Sequence, residues 1–239
     1  MKNAIVFIFV LLSFVTTYAQ PRFVKERADY DGEEIMKPFQ FTLVSGDHQP
    51  ILNPVGRISG RLDTGELEVV SLNGQSLDAY PYRELKGAIL AKNYLPYFFH
   101  LFPMDVPQAN KEVVLTPLSE GATFLAEGIV FLGDNTNIYF SSVDALQSLL
   151  EFMNMHPNVR VRIIGHVNAN AETKLSDAQL MALAKKRAEN IQDYLVNHGV
   201  SKHRLSTMGR GREAVKYPDP QTEEQLEFNR RVEIEIIGF

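Results

Sequence analysis

Val159, Val161 and Ile163 alternate with Arg160, Arg162 and Ile164, the two-residue period of a strand with one buried face. This strand runs over residues 159–167 and ends in the polar run Gly165-His166-Val167-Asn168. Beyond a loop, Leu180, Leu183, Ala184, Ala188, Ile191 and Leu195 recur at three- and four-residue spacing, the stripe of a helix stopped by Asn197-His198-Gly199. An earlier helix, capped by Ser141 or Ser142, carries Leu146, Leu149, Leu150 and Met153 and stops at His156-Pro157-Asn158. Residues 122–132 read as a strand, 133–137 as a polar loop, 205–208 as a short strand, 209–211 as a turn, 217–224 as a polar loop with two prolines, and 231–237 as the last strand. The predicted order is βαβαββ, a sandwich with helices on one face of a mixed sheet.

The first half has a different texture. Phe39, Phe41 and Leu43 alternate, Ser45-Gly46-Asp47 makes a turn, and short strand candidates follow at 57–62, 67–71, 87–91, 97–101 and 111–115, separated by Gly, Pro, Asn and Asp. This spacing predicts a small antiparallel β-sandwich over 38–118, closed by a linker at 115–121. The chain is thus expected to be α+β with two domains, 38–118 and 122–239. The aromatic stretch Tyr94-Leu95-Pro96-Tyr97-Phe98-Phe99 suits core and edge packing, or an exposed platform for carbohydrate or protein.

Composition narrows the compartment and the partners. Met1-Lys2-Asn3 is a short basic start, residues 4–15 are almost wholly apolar, and Thr17-Tyr18-Ala19 places small residues where a signal peptidase reads. Residues 1–19 are therefore expected to be a cleaved secretory signal, 20–37 an irregular charged arm, and the mature chain to be exported to the periplasm without a transmembrane segment. The formal net charge of the 239-residue chain is −5, or −6 once Lys2 leaves with the signal, which argues against general nucleic-acid binding. No cysteine is present, so disulfides, thiol nucleophiles and cysteine metal sites are excluded.

Candidate chemistry converges on the 159–187 stretch. Arg187 lies three positions after Ala184 and four before Ile191, at the border of the buried stripe, where a planar fork could meet a carboxylate. Helix geometry by itself favours a local partner, Glu189 or Asp193. His166 could be a buried histidine satisfied by a neighbouring carbonyl, or a ligand. The histidines at 48, 100, 156, 166, 198 and 203 have no metal-ligand spacing, and no nucleophile elbow or phosphate-binding glycine loop is present. These residues point to an exported binding protein, with neither catalytic residue, metal nor cofactor predicted.

The run from 129 to 239 resembles the OmpA C-terminal-like, peptidoglycan-associating domain family. The resemblance rests on GHVN (165–168) in place of Gly-His-Thr-Asp, KKRAENIQDYLVNHGV (185–200) followed by KHRLSTMGRG (202–211), and NRRVEIEI (229–236). It implies an OmpA-like fold that holds diaminopimelate-type peptidoglycan non-covalently, linking the wall to the outer membrane or a partner. Arg187 takes the position of the helix arginine that meets the diaminopimelate carboxylate. Asn168 takes that of the aspartate that meets its ammonium. Val167, Ala169 and Asn137 would stand beside them, and Arg230 or Arg231 would give secondary support. Val167 replaces a threonine, Leu180 and Ala184 stand where asparagine and serine are usual, and Leu132 where an acidic residue is common. Residues 38–118 resemble, in architecture, the carboxypeptidase-regulatory or transthyretin-like sandwich of Bacteroidetes-type envelope proteins, and an outer-membrane protein partner is expected through this sandwich. A degenerate module of the same fold, binding protein and not wall, is the alternative.

Overall fold

Seven strands occupy the N-terminal half: β1 (Gln40–Val44), β2 (Val55–Arg61), β3 (Leu67–Val70), β4 (Ser76–Asp78), β5 (Glu84–Leu90), β6 (Tyr97–Leu101) and β7 (Lys111–Val114). The structure is a computed structural model that describes residues 40–239 apart from 63, 73, 75, 79–81, 103–110, 132–134 and 169–173. The signal at 1–19, the arm at 20–37, Leu132 and Ala169 therefore lie outside the described residues. The strands form two sheets, β4-β1-β7 and β3-β2-β5-β6. Phe41, Leu43, Leu77, Val113 and Leu115 of the first meet Ile58, Leu85, Ile89, Tyr97 and Phe99 of the second in one apolar core, so the layers are those of a sandwich. One pairing departs from the expected antiparallel pattern: β1 runs parallel to β7, Leu43 opposite Val113. A parallel pair needs a long crossover, and here the whole second sheet is that crossover.

The C-terminal half follows as β8 (Thr123–Leu125), α1 (Val143–Met155), β9 (Arg160–Gly165), α2 (Asp177–Asn197), β10 (Leu205–Gly209), α3 (Glu223–Asn229) and β11 (Val232–Gly238). Its sheet has the order β10-β9-β11-β8, with β9 and β10 parallel and β11 antiparallel to both β9 and β8. Two readings of the sequence change. The strand expected over 122–132 is confined to Thr123–Leu125. A turn at Glu127-Gly128 follows, with Gly128 at φ 88°, and the Ser142 hydroxyl accepts from the Val130 amide at 2.9 Å. The polar loop at 217–224 runs into α3, whose first turn is fixed when Thr222 Oγ1 accepts from the Gln225 amide (3.3 Å) and Gln225 Oε1 accepts from the Gln221 amide (2.6 Å).

The two halves share apolar packing. Ala88, Leu90, Leu95 and Phe98 from the sandwich belong to the same cluster as Phe124, Leu149, Phe152 and Met153. Phe98 stacks on Phe124 at 6.2 Å between ring centroids, and Phe124 meets the edge of Phe152 at 5.5 Å. The aromatic stretch at 94–99 is thus core packing, with Leu95, Tyr97, Phe98 and Phe99 all buried. Arg57 pairs with Glu151 across the junction. His156 Nδ1 donates to Phe152 O (3.0 Å), which leaves Nε2 to accept from the Asn93 amide (3.1 Å). The linker is tied along its length, Leu115 N–H to Val44 O and Gly121 N–H to Ile236 O, both at 2.8 Å.

Two glycines set how deeply α2 sits on the sheet. Gly165 and Gly209 are paired in register across β9 and β10. A Cβ on Gly165 would fall 2.1 Å from Ala184 O, and one on Gly209 2.4 Å from Met181 O. Backbone therefore rests directly on backbone at the C-terminal ends of the two parallel strands. Arg187 is carried one turn further along α2.

Candidate functional site at the end of β9

Ser176 caps α2 by accepting from the Gln179 amide at 3.3 Å, while Gln179 Oε1 accepts from the Ser176 amide at 2.9 Å, a reciprocal box that fixes the start of the helix. Arg187 is 1% exposed. Its Nε donates to Asn135 O at 3.0 Å, and its guanidinium lies 5.0 Å from the centre of the Phe131 ring. Asn190, one turn on, donates from Nδ2 to Thr136 O at 2.7 Å. Two side chains of α2 thus clasp the loop that follows β8. Asn137 lies in that loop and is exposed, and its amide donates to Asn135 Oδ1 (2.8 Å), which bends the loop. Of the local partners open to Arg187, Glu189 pairs with Lys186 at 3.4 Å. Asn190 was missed in the sequence, although its three-residue spacing from Arg187 is the signal that could have found it.

Asn168, half-buried at the end of β9, accepts from Asn229 Nδ2 at 3.0 Å. Asn229 is fully buried, and its Oδ1 accepts from the amides of Lys216 and Tyr217. Val167 points into the fold. It is 2% exposed and packs with Leu180 and Ala184, with Leu175, Leu183 and Val215 around them. The three apolar residues noted one by one in the sequence are therefore a single cluster, each supplying the environment the others need.

Arg231 is held inside. Its Nε donates to Glu233 Oε1 at 2.7 Å, and its Nη groups reach Ala214 O (3.3 Å) and Phe228 O (3.2 Å). Arg230 is half-buried at the end of α3, with its amide donating to Leu226 O. His166 is buried as expected, but a carboxylate and not a carbonyl stands beside it, with Nε2 3.2 Å from Glu233 Oε2 and out of line for a good hydrogen bond. Burial pushes the imidazole below its ordinary value, against the pull of Glu233. Burial works against ionising Glu233, but His166 and the Arg231 guanidinium outweigh it and bring the carboxyl to about 2. Among the described residues no group of three His, Cys, Asp or Glu side chains could hold a metal ion, and no helix is long and apolar enough to cross a membrane.

These groups give stability a sign with pH. His166 and His156 both fall below 6.5 through burial, so the unfolded chain takes up their protons first as pH drops. Glu84 in the sandwich is likewise brought from 4.5 to about 2, chiefly by its 2.7 Å bond with His100 and also by Arg61. Folded pKa values below the unfolded ones mean stability that is present above the unfolded pKa and lost below it. The melting temperature should be level above pH 7, decline from about pH 6.5, and fall more steeply between 4.5 and 2. Both carboxylates therefore add stability above about pH 4.5 that is lost as they protonate. A melting temperature that rises between pH 7 and pH 5 in a calorimetric series would contradict this.

The OmpA family model matches residues 130–230. The C-terminal half is OmpA-like. The matched span includes the loop held by Arg187, the end of β9, α2, and Asn229 with its neighbours. Among curated proteins, outer membrane porin F of Pseudomonas aeruginosa is 31% identical over 104 residues, which are 43% of this chain and 28% of the porin. The peptidoglycan-associated lipoprotein of Buchnera aphidicola is 28% identical over 102 residues, 43% of this chain and 54% of the lipoprotein. Of solved structures, the periplasmic domain of Helicobacter pylori MotB is 18% identical, with 48% of this chain and 72% of that one superposed at a TM-score of 0.42. The chain thus spans just over half of the lipoprotein's length and less than a third of the porin's. The OmpA-like match begins beyond the sandwich.

Proposed function

We propose that this is an exported cell-envelope protein, without enzymatic activity, whose OmpA-like domain binds peptidoglycan through the peptide stem. Arg187 pairs with the carboxylate of diaminopimelate, and Asn168 meets the other polar end of that residue. Asn137 lines the approach, Ala169 is a candidate contact from its place next to Asn168 in the sequence, and Arg230 and Arg231 give secondary support, the described donors of Arg231 already serving Glu233 and two backbone carbonyls. The sandwich, packed against α1, faces an outer-membrane partner. The observation that carries this reading is the joint fixing of Arg187 by Asn135 and of Asn168 by Asn229 within the span that matches the family model. A planar guanidinium held by its neighbours meets a carboxylate with little loss of side-chain freedom. The relatives named as an outer membrane porin and a peptidoglycan-associated lipoprotein support the same setting.

Co-sedimentation with purified sacculi tests the proposal. The wild-type chain should pellet, and Arg187→Lys, which keeps the charge and loses the fork, should bind at least about tenfold more weakly with an unchanged circular dichroism spectrum. One observation favours a second reading: the cluster of Val167, Leu180 and Ala184 places apolar packing directly before Asn168, as in a module that binds protein in place of wall. In that case the wild type stays in the supernatant.

A further inference from the structure

The amide of Asn229 is oriented by its surroundings alone. One of its polar atoms receives the backbone N–H groups of Lys216 at 2.9 Å and Tyr217 at 3.0 Å, so it is the oxygen. The other lies 2.8 Å from the carbonyl oxygen of Tyr217, so it is the –NH2 group. That –NH2 also reaches a side-chain atom of Asn168 at 3.0 Å, which is therefore the Asn168 oxygen. Asn229 is fully buried, so the sequence of constraints starts from a fixed point. It leaves the Asn168 –NH2 turned away from Asn229, on a half-buried side chain, with no acceptor among the described residues.

We infer that Asn168 serves as a hydrogen-bond donor to the ligand, so that this subsite takes a carboxylate or an amide carbonyl and not an ammonium. An ammonium would have to share an oxygen already engaged by Asn229, and would meet an amide there and not a carboxylate. The charges nearby point the same way. Arg210 and Arg231 both bear on His166, two residues before Asn168. Glu233 is committed to Arg231 through one oxygen and faces His166 with the other. Glu233, engaged on both sides, therefore offers no free carboxylate to an ammonium beside Asn168. The inference rests on the peptidoglycan reading for its ligand. It specifies a wall peptide whose diaminopimelate amine is capped or turned away, with a carbonyl or carboxylate at Asn168.

Two synthetic stem peptides that differ in one group, a free or an acetylated diaminopimelate side-chain amine, test this by calorimetric titration of the full chain. The wild type should bind the acetylated peptide as tightly as the free one, or less than about threefold more weakly. Asn168→Asp keeps an oxygen for Asn229 and puts an anionic oxygen where the donor stood, so it should favour the free amine by about tenfold or more. If acetylation costs the wild type more than about threefold, or if both proteins rank the peptides alike, the donor assignment is wrong while wall binding stands. If the wild type binds neither peptide, the peptidoglycan reading fails and this inference fails with it.

Discussion

Gly165→Ala is expected to lower the free energy of unfolding by more than about 3 kcal/mol, because the added methyl has backbone above it and nowhere to turn. Its Cβ would lie 2.1 Å from Ala184 O and 3.0 Å from Ala184 C. A flexible side chain could swing aside, but the carbonyl of a helix interior can move only with the helix. Lifting α2 would open the cluster of Val167, Leu180 and Ala184, loosen the contact over Gly209, and draw Arg187 away from Asn135. Gly46→Ala is the control, since nothing lies within 4 Å of its Cβ position, and it should stay within about 0.5 kcal/mol of wild type. Urea denaturation measures both. Equal midpoints for the two variants would mean that α2 does not rest on the strand ends.

The second large effect belongs to Asn229→Ala. The side chain makes four hydrogen bonds from a fully buried position, two accepted from backbone amides and two donated. Removing it strands the Lys216 and Tyr217 amides, each at about 1–3 kcal/mol, so a loss of roughly 3 kcal/mol or more is expected. It also frees Asn168 to flip. Asn229→Asp separates the two consequences, because it keeps the oxygen for both amides and loses only the donor shared by Asn168 and Tyr217 O. It should retain more of the stability than Asn229→Ala. A variant Asn229→Ala as stable as wild type in the same denaturation series would show that the network does not hold the segment after β10.

Much of the C-terminal half was legible because its elements obey simple periods. The alternation from 159 and the stripe from Leu180 to Leu195 gave β9 and α2, and the position of Arg187 at the stripe's border marked the residue that clasps the loop after β8. What periodicity does not carry is a partner distant in the chain. Asn135 is 52 residues from Arg187, and Asn229 is 61 residues from Asn168. Arg204, which caps the end of α1 through Met153 O and His156 O, was likewise unreadable. The helix α3 had a local signal in Thr222 and Gln225, masked by the polar, proline-bearing stretch before it. The strand expected over 159–167 is shorter for a related reason: beyond Gly165 the chain leaves the sheet, and His166 and Val167 both turn inward. The parallel pairing of β1 with β7 depends on how the intervening sheet closes, which strand spacing does not encode.

The sandwich also changes how the OmpA-like half should be treated in experiments. Phe98 and Leu90 complete the apolar cluster around Phe124 and Phe152, so cutting the chain near 120 would expose apolar surface on both pieces. Binding is best measured on the whole chain.

The most direct test of the central claim is a nuclear magnetic resonance titration of the full chain with a diaminopimelate-containing stem peptide, following the Arg187 Nε–H and the Asn168 side-chain amide. The account predicts saturable shifts at both groups, with Asn229 moving alongside Asn168 and the sandwich signals unmoved. Saturable binding that leaves Arg187 and Asn168 unchanged, or no binding at all, would contradict it.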